Sequence, residues 1–376
     1  MILGEGGLDF DLNEEQTMLR DMVARFGADH YDPVKRLAYL RQDRGFAEEN
    51  WKMLAETGLL AFALPEEAGG FGGRDADILA TMEALGGFVA VEPVLATILL
   101  GMGILWEAGT EAQREELIAL TLAGERFPAL ALYEHQGRFD SKAVRAQAVT
   151  DPAGTRISGV KQLVLGGAFA TDLIVAARLS DGGDIGLFIV DKQAEGVSST
   201  DYRLADGSFA SDICFDNAPA QAMTRGEDAL NIVLDRARLA ICAELVGLAD
   251  LMFRQTLDYM KTRKQFGMPL GAFQALQHRM ADCYTLVELS RSQLYRAAGS
   301  GSGDSVQRAA AIIGAKAYIS ESAMQVGEEA IQFHGGIGVT EELMVGQAFK
   351  RVMTLVMLLG DADYEVDQYI GMTALS

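Results

Sequence analysis

Two stretches of the sequence set polar and ring-bearing side chains beside chain-breaking glycines. The first is Tyr259-Met-Lys-Thr-Arg263-Lys264-Gln265-Phe266-Gly267-Met-Pro269, continuing through Phe273-Gln274 to His278. The Arg263 guanidinium is a planar fork of donors that matches a diphosphate. Gln265 and Gln274 add neutral hydrogen bonds, and Phe266 or Phe273 can cover a ring. The same residues also describe a basic helix end followed by a turn, because Lys and Arg favour helix C-termini. The second stretch is Gln332-Phe-His334-Gly335-Gly336-Ile-Gly338. Its glycines either let a ligand approach the backbone or simply cap a helix. His334 reads as a ligand contact or as a histidine satisfied within the fold.

Glu244 is a third candidate. It is the only charged residue between Leu239 and Ala249. Desolvation on so apolar a stretch suits a carboxylate to general-base work. A buried carboxylate is also commonly paired, and Arg279 or Arg351 would be the partner. The four histidines (His30, His135, His278, His334) and three cysteines (Cys214, Cys242, Cys283) show no metal-ligand spacing and no CxxC. A metal site and a disulfide framework are therefore not expected.

The elements that must position these residues fall into three segments. Residues 1–126 read as helices. Apolar residues at Met18, Met22, Val23 and Phe26 recur at helical spacing over 14–31, with Asn13 as N-cap and Asp32-Pro33 as the stop. Further helices are expected over 48–57, 75–88, 93–108 and 111–123. Residues 127–224 carry short β-branched runs at 143–149, 162–165, 173–177, 185–190 and 212–215. Turn signals at 151–154, 181–183 and 206–207 separate them, which suggests a small antiparallel barrel or sandwich. Residues 225–376 are helical again, with long helices over 228–262, 273–298 and 305–333, a flexible link at 299–304 and two shorter helices at the end. Long helices joined in this way suggest a bundle.

Composition narrows the partners. The chain has 376 residues, 53 acidic and 32 basic, and a formal net charge of −21. Such a chain repels a phosphate backbone, so nucleic acid is excluded as a general partner. Free nucleotides are not excluded, because Arg263, Lys264, Lys350 and Arg351 offset the global field locally. With 49% hydrophobic residues but only 8% aromatic, the chain can bury a large core and an oligomer interface. The acidic start lacks the order of a signal peptide, and no uncharged stretch near the front reaches the ~20 residues of a membrane span. A soluble cytoplasmic protein is expected.

Taken together, these motifs resemble the acyl-CoA dehydrogenase family over the whole chain. Arg263-Lys-Gln-Phe-Gly267 with Phe273-Gln274, followed by Gln332-x-x-Gly335-Gly336-x-Gly338, carries the resemblance. So does the loop Leu64-Pro65-Glu66-Glu67-Ala-Gly69-Gly70-Phe-Gly72-Gly73. The fold it implies is an N-terminal all-α domain, a middle antiparallel β-barrel and a C-terminal four-helix bundle. The cofactor it implies is FAD, the substrate an acyl-CoA thioester desaturated at α,β, and the electron acceptor an electron-transfer flavoprotein. Arg263, Gln265, Phe266, Phe273, Gln274, Gln332, Gly335 and Gly336 would hold the adenine and diphosphate, commonly of an FAD whose ring belongs to a neighbouring subunit.

The flavin-ring and base motifs depart from that pattern. The two places where the resemblance puts the catalytic Glu are Leu359 and Ala237, the latter just before Arg238, a candidate substrate contact. The strand motif that touches the flavin reads Tyr133-Glu-His-Gln-Gly-Arg-Phe-Asp140, and the Trp-Ile-Thr stretch reads Gln162-Leu-Val-Leu-Gly-Gly167. Asp361 falls at a phosphate-side position. The chain is thus similar to small subunits of heteromeric bacterial acyl-CoA dehydrogenases, which implies a homologous catalytic partner in a tetramer. Two alternatives stand beside this reading: a self-sufficient flavin dehydrogenase or oxidase using Glu244, and a non-catalytic scaffold.

Overall fold

The computed structural model describes residues 12–179, 183–300 and 305–374. Residues 181 and 182 of the expected turn, and 301–304 of the expected link, lie outside the described residues. The element order is helices, then strands, then helices. Helix α1 (Glu14–His30) starts at Asn13, whose side chain accepts the Gln16 N–H at 2.8 Å while Gln16 accepts the Asn13 N–H at 3.0 Å. This reciprocal cap satisfies donors that a helix start leaves free. Asp32-Pro33 stops α1 and also opens α2 (Pro33–Leu40). Asp32 accepts from Val34 N and Lys35 N at 2.8 Å each, and proline suits the first helical position. Then follow α3 (Glu48–Glu56), α4 (Asp75–Gly86), a π-helical stretch (Val94–Met102) running into α5 (Gly103–Ala108), and α6 (Glu111–Leu122).

The strands are β1 (Pro128–Ala131), β2 (Gln147–Asp151), β3 (Gly154–Leu165), β4 (Asp172–Leu179), β5 (Ile185–Asp191), β6 (Val197–Arg203) and β7 (Phe209–Ala222). The pairings β4–β2–β3–β7–β5 return to β4, closing a barrel, with β1 added on β4 and β6 on β7. The barrel is mixed rather than purely antiparallel as expected: β4 runs parallel to both β1 and β2. Sequence pattern misses this because parallel and antiparallel partners leave the same alternation on a strand. Leu173, Val175 and Ala177 of β4 enter the barrel core beside Ile157, Val164, Phe188, Ile213 and Phe215. Ile174 and Ala176 on its other face are buried too, so β4 reads as an unbroken apolar run. Strand β6 was not expected, because its residues are mostly exposed and polar and give no hydrophobic period.

Long helices follow: α7 (Glu227–Thr262), α8 (Gln274–Gly299) and α9 (Ser305–His334), then the shorter α10 (Met344–Leu355) and α11 (Ala362–Thr373). A hairpin, β8 (Lys264–Gln265) and β9 (Met268–Pro269), joins α7 to α8. Helix α9 packs against α8, α10 and α11. Among the described residues no helix is long and apolar enough to cross a membrane, and no metal-ligand cluster exists.

Packing divides the chain into two compact units: Met1–Leu37, Arg74–Ala90 and Arg238–Ser376, and Ala38–Gly73 with Val91–Ala237. In the first, α4 crosses α7 at contact distance. A Cβ on Gly247 would stand 2.0 Å from the Glu83 carbonyl oxygen, and one on Gly86 would stand 2.4 Å from that of Glu244. Glycine is required at both positions by that approach. In the second unit, Phe46, Trp51, Phe127 and Phe169 form a ring cluster with centroid separations of 5.2–6.0 Å.

Candidate functional site

In the first unit, α7 ends at Thr262 and the chain turns through the β8–β9 hairpin. Phe266 and Gly267 both take positive φ, 51° and 84°, as a two-residue type I′ turn demands. A phenylalanine in that region is strained. Its side chain is also 88% exposed, and its ring meets Phe273 edge-on at 6.3 Å. Gln265, Gln274 and Gln332 are not buried either. Among the described residues the Arg263 side chain makes no hydrogen bond or ion pair. Arg74, Arg225, Arg238, Arg291, Arg308 and Arg351 are all tied to carboxylates. An unneutralised guanidinium in so acidic a chain is available to a phosphate.

The opposite arm is the end of α9. Gly335 takes φ 64°, and among the described residues no atom beyond the chain neighbours lies within 4 Å of where a Cβ would stand on Gly335 or Gly336. None of the described residues fills that space, so a ligand can reach the backbone there. His334 is buried, with Nδ1 2.8 Å from the Ala330 carbonyl, and its ring lies 4.4 Å from that of Tyr259 at 25°. It is therefore the satisfied histidine of the two readings. Arg263, the glutamines, the two Phe rings and the open glycines fit the adenine and diphosphate of FAD by donor set and by free space.

The flavin-ring motifs lie in the second unit and are occupied with the fold itself. Glu134 accepts from Arg145 N and Ala146 N at 2.9 Å each and from Lys161 Nζ at 2.7 Å. Lys161 also donates to the Leu132 carbonyl at 3.0 Å and is fully buried. Burial pushes the Glu134 carboxyl up, but the Lys161 bond and the two amides outweigh it and hold it below the ordinary value. Burial pushes Lys161 down, against the pull of Glu134. Leu163 takes φ 52°, and its N–H donates to Asp212 at 3.2 Å. Leu163, Val164 and Leu165 offer a flavin no hydroxyl or indole, so these residues do not fit the ring as the adenine-side residues fit their half.

The two positions without a base carry buried apolar side chains, Leu359 and Ala237. Leu359 has φ 61° and Gly360 φ 130°, a strained turn. Arg238 Nη2 lies 3.5 Å from the Leu359 carbonyl, and Lys316 Nζ donates to the Gly360 carbonyl. Glu365 sits between the two cations, 3.2 Å from Arg238 Nε and 3.8 Å from Lys316 Nζ. Both Glu365 and Lys316 are fully buried, so neither meets a substrate in this arrangement. Burial pushes Lys316 down, and Glu365 opposes that shift. Arg238, read as a substrate contact, is committed to Glu365 and the turn. Asp361, expected on the phosphate side, caps α11 instead, accepting the Tyr364 N–H at 2.9 Å.

Sequence reasoning missed Lys316 and Glu365. Lys316 carried the signal used for Glu244: it is the only charged residue between Arg308 and Glu321. Glu365 carried none, lying among Asp361, Asp363 and Asp367. Glu244 itself is buried and bonded to Arg351 through both oxygens, at 2.6 and 3.0 Å. The geometry supports the paired reading of this carboxylate. Arg351, and Lys350 with its partner Glu341, are likewise not free cations.

Comparisons with known proteins identify the family. Residues 13–125 match the family model described as acyl-CoA dehydrogenase, N-terminal domain, and residues 224–370 match its C-terminal domain. The chain is 31% identical over 351 residues to acyl-CoA dehydrogenase IpdE2 of Mycobacterium tuberculosis, covering 92% of this chain and 93% of that one. It is 28% identical over 378 residues to the probable acyl-CoA dehydrogenase YngJ of Bacillus subtilis, covering 96% and 98%. Among solved structures, a variant of the Tcur3481-Tcur3483 steroid ACAD superposes with a TM-score of 0.89 at 33% identity, over 97% of this chain and 99% of that one. The ChsE4-ChsE5 complex from Mycobacterium tuberculosis gives 0.89 at 25% identity, over 98% and 99%.

Proposed function

Because the chain belongs to the acyl-CoA dehydrogenase family of FAD-dependent oxidoreductases, we propose that it serves a heteromeric enzyme as the subunit supplying the adenine and diphosphate side of a composite FAD site. A homologous partner would hold the flavin ring and the base. One contrast carries this reading. Arg263 is unneutralised among the described residues and the backbone at Gly335 and Gly336 is open, while Leu359 and Ala237 leave both base positions apolar. Two relatives named as paired chains, Tcur3481-Tcur3483 and ChsE4-ChsE5, support an assembly of unlike subunits.

Bound FAD would supply the acceptor for the hydride that leaves Cβ of an acyl-CoA while a carboxylate removes the α-proton. In our reading this chain performs neither transfer. Arg263 would pair with the diphosphate, Gln265, Gln274 and Gln332 would donate neutral hydrogen bonds, and Phe266 with Phe273 would cover the adenine. An electron-transfer flavoprotein is the proposed acceptor. A steroid-derived acyl-CoA is the first substrate to try, because the Tcur3481-Tcur3483 relative is called a steroid ACAD. A self-sufficient enzyme using Glu244 is disfavoured by the Arg351 pair.

The test is purification of the chain alone and together with a homologue that carries the missing Glu and flavin motifs. Stoichiometric FAD and acyl-CoA-dependent flavin bleaching are expected only from the pair. Replacing Arg263 and Gln332 by alanine should strip FAD from the pair. An FAD-saturated, active chain on its own overturns the reading, and unchanged flavin content in the double variant favours a pure scaffold.

A further inference from the structure

The two arms of the cradle belong to different helix ends, and a nucleotide bound between them requires their separation to be fixed. Among the described residues no hydrogen bond joins the hairpin at 263–269 to the turn at 332–336. Met260, Met280 and Phe333 form an apolar cluster behind them, with Phe253, Leu257, Leu270 and Leu276 against it. Such a cluster attracts the arms without directional preference. Two directional contacts tie the ends together: Arg279 of α8 pairs with Glu329 and lies 5.0 Å over the Phe333 ring of α9, and Tyr259 stacks on His334 with 4.4 Å between centroids and 25° between planes, the contact nearest Arg263 and Gly335.

Both rings are tied to the residues that would touch the ligand. Tyr259 lies one helical turn before Arg263, and its carbonyl accepts the Arg263 N–H at 2.8 Å. The Arg263 carbonyl in turn accepts the Leu270 N–H at 2.8 Å, closing the hairpin. His334 is the last residue of α9, directly before the positive-φ Gly335. Its Nδ1 lies 2.8 Å from the Ala330 carbonyl one turn earlier on the same helix. A shift of either ring therefore moves the guanidinium base or the glycine backbone.

We propose that Tyr259 and His334 are positioning residues for the nucleotide, a ring-on-ring strut that sets the distance between Arg263 and the backbone of Gly335 and Gly336. This rests on the half-site reading above. The strut requires a ring at each position and no particular ring heteroatom. It acts through the two arms, and its loss lowers affinity for the ADP portion because ligating groups must be held to about 0.5 Å.

The experiment titrates ADP, and separately FAD, into the purified full chain by calorimetry, with unliganded far-UV circular dichroism as the check on folding. Tyr259→Ala and His334→Ala should each weaken ADP by about 2- to 12-fold, the range for an aromatic pair. The double variant should be no weaker than the worse single one, since either change removes the same stack. Tyr259→Phe and His334→Phe should stay within about twofold of the parent. If the alanine variants do not fold, Tyr259→Leu and His334→Gln remove the rings at similar volume and carry the same expectation. Unchanged ADP affinity without the rings, or losses that add in the double variant, or no rescue by phenylalanine, overturns the strut. Arg263→Ala separates the two ideas. If it abolishes ADP binding while the ring variants do not, only the strut fails. If it changes nothing, or if the parent chain does not bind ADP, the half-site reading fails and the strut with it.

Discussion

Glu365→Gln is the most informative single change in the molecule. It removes the carboxylate between buried Lys316 and largely buried Arg238 at the turn where the resemblance places the catalytic base. Glu365 and Lys316 are fully buried, and the Arg238 side chain is 11% exposed. At 3.2 and 3.8 Å, with an effective dielectric of about 20, each cation gains roughly 4–5 kcal/mol of gross attraction. Desolvation consumes much of that gain, but removing one partner from a buried set costs about 3–5 kcal/mol net. Lys316→Met removes one cation and its bond to the Gly360 carbonyl, leaving a neutral Arg238–Glu365 pair, at a cost of about 1–3 kcal/mol. The double variant should lose at least about 1 kcal/mol less than the sum of the two, because Lys316→Met relieves part of the charge that Glu365→Gln exposes. The assay is urea denaturation at neutral pH followed by far-UV circular dichroism. Tryptophan fluorescence would miss the site, since Trp51 and Trp106 lie in the other unit. Additive losses, or a Glu365→Gln variant as stable as the parent, refute the account of this cluster.

Three further outcomes are expected. Glu244→Gln should leave flavin bleaching by acyl-CoA intact in the assembled enzyme while lowering its urea midpoint, because it leaves the largely buried Arg351 without its carboxylate; abolished bleaching with FAD still bound would restore Glu244 as the base. The folded pKa of Glu134 is depressed, so its contribution to stability is present above the unfolded carboxyl value of about 4.3 and is lost as pH falls through the lower folded value. Thermal melts from pH 6 downward should show that loss in the parent, and Glu134→Gln should flatten the slope; equal slopes contradict the assignment. Phe266→Gly should stabilise the fold by up to about 1 kcal/mol through relief of the positive φ, yet weaken FAD retention in the assembled enzyme. Unchanged retention would remove Phe266 from the cradle.

The sequence by itself determined most of the helices and several strands, and pointed to the candidate adenine-side residues. Helical spacing with Asn13, Thr110 and Pro33 sets the first helices, and runs of uncapped apolar residues set α7 to α9. Arg263, Gln332 and the glycines stand in local motifs, so their roles needed no fold to suggest them. The same local reading passed over α2 and β6, where burial is too slight to leave a period. Only the tertiary structure decided the rest. It showed that Glu244 meets Arg351 across 107 positions and that Lys316 and Glu365 converge on the turn at Leu359. It also showed that β4 pairs in parallel on one edge. Among the described residues it left Arg263 without a partner while Arg238, Arg291 and Arg351 found theirs. Each of these depends on which distant residue lies opposite. Backbone propensity and side-chain periodicity are properties of neighbours along the chain, whereas charge pairing, burial and strand orientation are set by chain reversals that no single segment encodes.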